Sequence, residues 1–238
     1  MNDHYAYLVG ALIYDAAWVA CYFWCKSYRA QMIWGSLVSA PFALTSILFI
    51  PQYWSPPSLF NLDARFKVGI EDFLWAGAVG GIASVIGEAF LKERFAARRG
   101  QKRQRHFAPF VVMGVLFLIL EFWHPGQTMY NMIFALLVGA LVVIIIRPDL
   151  TLLMLVGSGL FTALYWVLFL YFLAFFPEFI SQYYNVSNLL GISIRGVPIE
   201  ELLFAAAGGA VWSVAYEYIQ GYRLAPNKRF SLVEVQGP

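Results

Sequence analysis

Long runs of apolar residues, separated by short polar stretches, dominate the pattern of this chain. Seven of these runs are long enough to cross a bilayer, at roughly 20 residues per span. They lie at about residues 5–25, 32–50, 70–91, 108–123, 129–147, 151–176 and 198–219. The pattern therefore predicts an all-α integral membrane protein with seven transmembrane helices.

An internal repeat appears at a constant offset of 129 positions. Residues 8–12 (LVGAL) recur at 137–141, and Ile70-Glu71-Asp72 recurs as Ile199-Glu200-Glu201. Helices one to three thus match helices five to seven, and the fourth helix returns the chain so that both copies run in parallel. Parallel repeats are related by a pseudo-two-fold axis along the membrane normal. A functional site is therefore expected between the two copies.

The repeat predicts four parts of the chain. They are a first three-helix repeat (1–95), a basic cytoplasmic loop with the linker helix (96–126), a second three-helix repeat (127–222) and a cytoplasmic tail (223–238).

Composition indicates that much of the chain faces lipid, and charge predicts how it is oriented in the membrane. Only 13% of the residues are charged and 61% are hydrophobic, whereas soluble domains carry about 25% charged residues. Thirteen of the sixteen Lys and Arg residues lie in loops 26–31, 92–107 and 147–150 and in the tail. The positive-inside rule places the N-terminus outside and the C-terminus in the cytoplasm of a multi-pass cell-membrane protein. The basic run at 92–105 is interpreted as a cytoplasmic loop, so no nucleic-acid partner is expected.

Two pairs of carboxylates, Glu71-Asp72 and Glu200-Glu201, begin the third helix of each repeat. Acidic residues in a first turn complement the helix dipole, and Pro198 suits the first helical position, so a structural explanation is open. The pairs nevertheless lie at matching depth in apolar surroundings, where ionisable groups are costly and usually functional. Adjacent helical residues point about 100° apart, so one acid of each pair is expected to face the repeat interface.

Other acidic residues in apolar stretches are candidates as well. Asp15 lies near the middle of the first helix, where functional and structural explanations carry equal weight. Glu121 ends the fourth helix close to His124 and Asn131, either as part of a proton relay or as an interfacial helix cap. Glu88 and Glu217 are expected to anchor helix ends.

Helical glycines form a further recurring feature, and all four are interpreted as packing positions. They are Gly80, Gly81, Gly208 and Gly209.

Several chemistries find no support in the sequence. No G-x-G-x-x-G follows a strand, and His4, His106 and His124 lie in separate loops without metal-ligand spacing. The last helix contains no lysine for a retinal Schiff base. No cofactor and no metal site are expected.

The segment Val197-Pro198-Ile199-Glu200-Glu201-Leu202-Leu203-Phe204 resembles the signature of the lycopene cyclase domain family: apolar, Pro, apolar, Glu, Glu, apolar. That family is similar to this chain in its three-helix unit, its tandem duplication and the place of the signature at the start of the last helix of each unit. The first copy departs from the pattern, because Gly69 stands for Pro and Asp72 for the second Glu.

The resemblance implies a carotenoid cyclase of lycopene β-cyclase type. An acid protonates a terminal double bond, a neighbouring double bond attacks the cation, and a base removes a proton, so no cofactor is needed. Glu200, Glu201, Glu71 and Asp72 would be catalytic. The pocket for an apolar polyene from the bilayer would contain Asp15, Glu121, Phe73, Trp75, Phe204 and Pro198, with aromatic rings stabilising the cation. Partners would be membrane lipid and other carotenoid-pathway enzymes.

Alternatives from other classes stay open at this point. The same fold would serve a non-enzymatic binder of isoprenoid or other lipid, or a proton-coupled transporter that uses Asp15 and the paired acids as a relay. Among enzymes, a carotenoid hydratase or an ε-type cyclase begins with the same protonation and differs in how the cation is quenched.

Overall fold

The computed structural model describes residues 3–92, 95, 96 and 107–224, and nearly all of these residues are helical. Its α-helices are α1 Ala6–Trp24, α2 Arg29–Ser39, α3 Ser46–Phe49, α4 Leu62–Phe66, α5 Ile70–Leu91, α6 Ala108–Trp123, α7 Thr128–Ile146, α8 Thr151–Phe175, α9 Phe179–Tyr183 and α10 Ile199–Gln220. Short 3-10 turns at Asp3–Tyr5, Lys26–Tyr28, Ala40–Thr45, Leu59–Asn61, Pro148–Leu150 and Val186–Asn188 precede or join them. The predicted tail beyond residue 224 and most of the basic loop lie outside the described residues.

Six helical stretches of the described chain are long and apolar enough to cross a membrane: Ala6–Trp24, Lys26–Phe49, Ile70–Leu91, Thr128–Ile146, Pro148–Phe175 and Ile199–Gln220. The apolar α6, at 16 residues, is shorter. Large apolar side chains such as Trp24 and Phe122 are exposed along these helices, as expected where lipid is the solvent. The chain is thus a nearly all-α, multi-pass membrane protein.

The second stretch is not one continuous α-helix. It consists of α2, the 3-10 segment Ala40–Thr45 and α3; we call the whole of Lys26–Phe49 the second span. Pro41 lies at the start of the 3-10 segment. Proline lacks the N–H that an α-helix needs, and its ring clashes with the carbonyl four residues earlier, so the α-helix ends at Ser39.

Helices α5 and α10, the third helices of the two predicted repeats, form the centre of the bundle. They pack against each other, α5 also packs on α1, α2 and α8, and α10 packs on α7 and α8. Gly80 allows α5 to lie close to α2, since a Cβ at Gly80 would be only 2.1 Å from the Ser39 Oγ. Gly81 and Gly209 are crowded in the same way, whereas nothing lies within 4 Å of a Cβ at Gly208. The interpretation of Gly208 as a packing position is therefore wrong.

The loops that precede α5 and α10 cover one end of the bundle, which we call the acid end. They are joined by hydrogen bonds from the Ser55 N–H to the Tyr183 carbonyl and from the Asn185 N–H to the Tyr53 carbonyl. The strands β2 Ser193–Ile194 and β3 Val197–Pro198 form a hairpin that leads into α10. Both residues of its turn have positive φ, as the two-residue type I′ turn requires.

At the opposite end, β1 Phe95–Ala96 pairs with β4 Arg223–Leu224 in antiparallel fashion. This pairing joins the chain after α5 to the chain after α10, so the ends of the two central helices are held together.

Candidate functional site

A cavity of about 320 Å³ runs through the middle of the bundle, and its lining is almost entirely apolar and aromatic. Among the described residues that line it, the charged ones are Asp72 and Glu201. Each comes from the first turn of a central helix, α5 or α10. The cavity therefore brings together one carboxyl group from each predicted repeat.

Three tyrosine hydroxyls surround the carboxyl group of Glu201. Tyr165 donates to Oε2 over 2.6 Å, while Tyr184 and Tyr53 donate to Oε1 over 2.8 and 3.0 Å. Tyr165 comes from α8, and the other two come from the loops over the acid end. Hydroxyls both donate and accept, so this set satisfies Glu201 whether or not it carries a proton.

The two loop tyrosines stay neutral at ordinary pH. Burial, followed by the nearby Glu201, raises the pKa of Tyr53 and the pKa of Tyr184 well above the usual value for a phenol. Both hydroxyls are therefore available as hydrogen-bond partners of Glu201 throughout the physiological pH range.

Asp72 is held by a different kind of hydrogen-bond set. Its Oδ1 accepts hydrogen bonds from the Tyr7 hydroxyl at 2.6 Å and the Ser46 hydroxyl at 2.5 Å, and its Oδ2 accepts from the Gly69 N–H at 2.7 Å. The last bond caps the N-terminus of α5. A backbone N–H only donates, so the contact with Gly69 is stronger to the ionised carboxylate than to the neutral acid.

The two departures of the first copy from the family signature are linked by this contact. Gly69 supplies an N–H that a proline lacks, and the short side chain of Asp72 reaches back to accept it. At the corresponding place in the second copy, Pro198 precedes α10 and Glu201 extends to the tyrosines instead. The two carboxyl groups thus occupy equivalent positions with unequal surroundings.

The neighbouring acids, Glu71 and Glu200, point away from the cavity and into the loops. Glu71 Oε1 accepts a hydrogen bond from the Leu59 N–H at 2.6 Å, and Glu200 Oε1 accepts one from the Leu190 N–H at 2.6 Å. Glu200 also accepts from the Tyr130 hydroxyl at 2.7 Å. Both carboxyl groups are fully buried, so they fasten the loops to the helix ends in a similar way in each copy.

Aromatic rings form the wall below the two carboxyl groups. Trp75 and Phe204 are stacked with centroids 6.2 Å apart, and Tyr165 meets the edge of Trp75 at 6.4 Å. Tyr14 packs against both Trp75 and Tyr165. Ring faces carry negative charge density that attracts cations, so this wall suits a positively charged intermediate.

Residues 127–219 match the family model described as lycopene cyclase. Through these residues the second half of the chain is similar to the lycopene cyclase domain family. The resemblance drawn from the segment around Glu200 and Glu201 is thereby confirmed, and the match supports an enzyme of carotenoid cyclisation in general terms. No curated protein and no solved structure matches the chain.

The lycopene cyclase domain provides only part of the cavity. Glu201, Tyr165 and Phe204 lie inside the matched residues, whereas Asp72 and Trp75 come from the first half of the chain. The cavity is therefore built jointly by both halves of the chain.

Four residues expected in the pocket lie outside the cavity lining. Phe73 is exposed, Pro198 is a buried N-cap of α10, and Asp15 lies on a half-buried part of α1. Glu121 accepts hydrogen bonds from the Thr128 hydroxyl at 2.8 Å and the Asn131 amide at 2.9 Å. It joins the end of α6 to the start of α7, as the helix-cap alternative predicts.

A second carboxyl pair occurs where helix anchors were expected. Glu88 on α5 and Glu217 on α10 are buried beside each other. The Gln31 amide donates to Glu217 Oε1 at 2.9 Å and to the Ser84 carbonyl at 2.6 Å. The two acids expected to anchor helix ends therefore meet between the central helices.

Sequence reasoning did not find the tyrosines that contact the two carboxyl groups. Tyr53 and Tyr184 lie in loops, where aromatic residues are common at the lipid interface, and Tyr7 and Tyr165 look like ordinary apolar-helix residues. A tyrosine in an apolar helix gives no sign of its partner, since the contact between Tyr7 and Asp72 spans 65 positions.

Proposed function

We propose that this protein is a carotenoid cyclase that converts the linear end group of a lycopene-type polyene into a ring. The observation that carries the proposal is the pair Asp72 and Glu201, one from each predicted repeat, on the wall of a cavity lined by aromatic rings. Acid–base isomerisation needs two carboxyl groups in different protonation states beside a dry pocket.

The reaction would proceed by proton transfer alone. A proton added to the terminal C=C bond creates a cation, and the neighbouring C=C bond attacks it to form the C–C bond of the ring. Loss of a proton from a ring carbon then forms a new C=C bond. One proton is gained and one is lost, so no oxidant, reductant or bound cofactor takes part.

Glu201 is proposed as the proton donor and Asp72 as the acceptor. The partners of Glu201 are hydroxyls, which can reverse direction when the carboxyl group gains or loses a proton. The Gly69 N–H cannot reverse, so its hydrogen bond is stronger to the ionised form of Asp72, which is the form that a base requires. Glu71 and Glu200 serve as positioning residues that hold the loops over the acid end.

The cavity lining also bears on how the cation is quenched. Trp75, Phe204 and Tyr165 would stabilise the cation through their ring faces. The joined loops and the apolar lining keep water away from it, which favours proton loss over hydration. This supports a cyclase over a hydratase, with β-type ring formation as the proposed outcome.

We further propose seven transmembrane helices in two parallel three-helix repeats, α1 to α5 and α7 to α10, joined by α6. The paired contacts of Glu71 with Leu59 and of Glu200 with Leu190 support the repeat. The basic loops would face the cytoplasm and the acid end would face outward across the cell membrane.

The test is expression in a bacterial host that accumulates lycopene, followed by absorption and chromatography of the extracted pigment. Wild-type protein should yield one- or two-ringed products. At matched membrane levels, Glu201→Gln and Asp72→Asn should each lower the rate by about 10²–10⁴-fold, whereas the matched controls Glu200→Gln and Glu71→Gln should remain within about tenfold of wild type. Unchanged lycopene with wild-type protein in the membrane would overturn the proposed function.

A further inference from the structure

The cavity is elongated along the bundle. Its lining on α10 begins at Glu201 and continues to Ile219. At a rise of about 1.5 Å per residue, this stretch covers about 27 Å, close to the bilayer's hydrocarbon thickness of about 30 Å. A long and narrow space of this kind fits an extended chain better than a compact ligand.

The two ends of the cavity differ. At the acid end, Tyr53, Tyr184 and Phe179 from the joined loops line the space and are buried. Farther from the carboxyl groups, the lining includes Val38 and Phe42 of the second span and Phe107 before α6, which are 36%, 46% and 49% exposed.

The exposed lining marks a lateral gap. Helix α6 packs on α7, the second span packs on α5, and both contribute residues to the lining, so the two flank the cavity. Within the described ranges 3–92, 95, 96 and 107–224, the cavity is thus covered at the acid end and open sideways farther along, between the second span and α6.

Resting on the proposed function, we propose that the cavity is a one-ended slot for a linear apolar polyene. The chain is threaded end first from the bilayer through the gap between the second span and α6, and it lies along α10 with its leading end group at Glu201 and Asp72. The volume agrees with partial enclosure, because about 320 Å³ is roughly twice the 150 Å³ cavity that holds one benzene. One end group is enclosed at a time, and the part of the polyene beyond the gap extends into lipid.

Gly208 determines whether the slot is continuous. It lines the cavity about two turns below Glu201, and a Cβ there would meet nothing within 4 Å. The space beside Gly208 is therefore the path of the chain, so a larger side chain at this position would obstruct the slot without touching the carboxyl groups. Gly159 on α8 offers a matched control, because it is equally open, lies outside the cavity lining and is exposed on the helix surface.

The test uses full-length protein purified from the lycopene-accumulating host. Gly208→Ala, Gly208→Leu and Gly208→Phe are made both in wild-type protein and together with Glu201→Gln, which blocks turnover in the proposed reaction. Bound lycopene per protein is measured by absorption in the Glu201→Gln series, and ring formation is measured in the other. We expect both quantities to fall stepwise with side-chain size, by about tenfold or more for Phe, while Gly159→Phe matches its parent in each series.

The slot would be overturned if Gly208→Phe retained as much lycopene as Gly159→Phe, or if the Glu201→Gln parent retained none. The Ala and Leu variants decide the matter should the Phe variant fail to accumulate in membranes. Retention that depends on Gly208 without any ring formation by wild type would support the slot and refute the cyclase.

Discussion

The Gly69 N–H donates a 2.7 Å hydrogen bond to Asp72 Oδ2, at a position whose counterpart in the second copy is a proline with no N–H to donate. The cap and the candidate catalytic carboxylate are therefore the same group in the first copy. In the second copy no side chain caps the start of α10. The carboxyl group of Glu201 contacts tyrosine hydroxyls instead. The sequence departures at positions 69 and 72 are a linked substitution that gives the two acids different surroundings.

Removing the Gly69 N–H should cost stability beyond the steric effect of a side chain. A Cβ at this position would lie 2.6 Å from Glu71 Oε2 and 3.0 Å from the Ser58 Cβ, so Gly69→Ala measures crowding alone. Gly69→Pro also loses the charged hydrogen bond, and it should unfold more easily than Gly69→Ala by about 1.5–3 kcal/mol. Thermal unfolding in detergent checks the difference, and equal midpoints for the two variants would show that the cap contributes nothing.

Loss of the Tyr165 hydroxyl should impair activity most among the three hydroxyls on Glu201. Its 2.6 Å contact is the shortest, and it alone reaches Oε2. Proton donation leaves Glu201 ionised, and a hydrogen bond to a charged group is worth about 1.5–3 kcal/mol, so Tyr165→Phe should cyclise about 10- to 100-fold more slowly. Tyr53→Phe and Tyr184→Phe should be milder, because each leaves the other on Oε1.

The matched control for this series is Tyr130→Phe, which removes a hydroxyl from Glu200 and not from a cavity acid. Cyclisation is measured as initial rate in membranes at equal protein level. A Tyr130→Phe variant as slow as Tyr165→Phe would contradict the separation of the two glutamates.

Removing the Glu200 carboxyl group should loosen the loop that precedes α10, and it should leave proton transfer by Glu201 and Asp72 possible. Glu200→Ala removes the acceptor shared by the Leu190 N–H and the Tyr130 hydroxyl, at a cost of about 0.5–1.5 kcal/mol for each lost hydrogen bond. Limited proteolysis should then cut the segment at 185–197 sooner than in wild type. Glu200→Gln retains an acceptor oxygen and should resist cleavage better, so identical cleavage of the two variants would refute the anchoring role.

The buried pair Glu88 and Glu217 should tolerate an amide but not a truncation. A hydrogen bond between two carboxyl groups needs a proton on one of them, and an amide N–H can replace it. Glu217→Gln should unfold within about 1 kcal/mol of wild type, because its oxygen still accepts from Gln31. Glu217→Ala should lose about 2 kcal/mol or more, through the cavity and the unpaired neighbours. Thermal unfolding at neutral pH measures both, and an equally stable Ala variant would contradict the prediction.

The sequence alone determined the helices and where they begin and end. Apolar runs of sufficient length, interrupted by charged loops, leave few alternatives in a bilayer, because every backbone N–H and C=O there must be paired within a helix. Ile70–Leu91 and Ala108–Trp123 agree with the predicted runs at both ends. The second span is the exception, since its start depends on a polar 3-10 turn that hydropathy does not detect. The segment around Glu200 and Glu201 was also sufficient to indicate the family.

Only the tertiary structure decided which acid of each pair faces the cavity. Adjacent residues on a helix point in different directions, but the sequence does not say which direction is the interior until α5 and α10 pack together. It likewise could not assign Tyr7 to Asp72 or Tyr165 to Glu201, because these contacts join different helices. The open space at Gly208 has the same origin, since an absence of neighbours depends on how the surrounding helices pack. Local sequence fixes helices because their hydrogen bonds are local, whereas a site depends on contacts between helices that are distant in the chain.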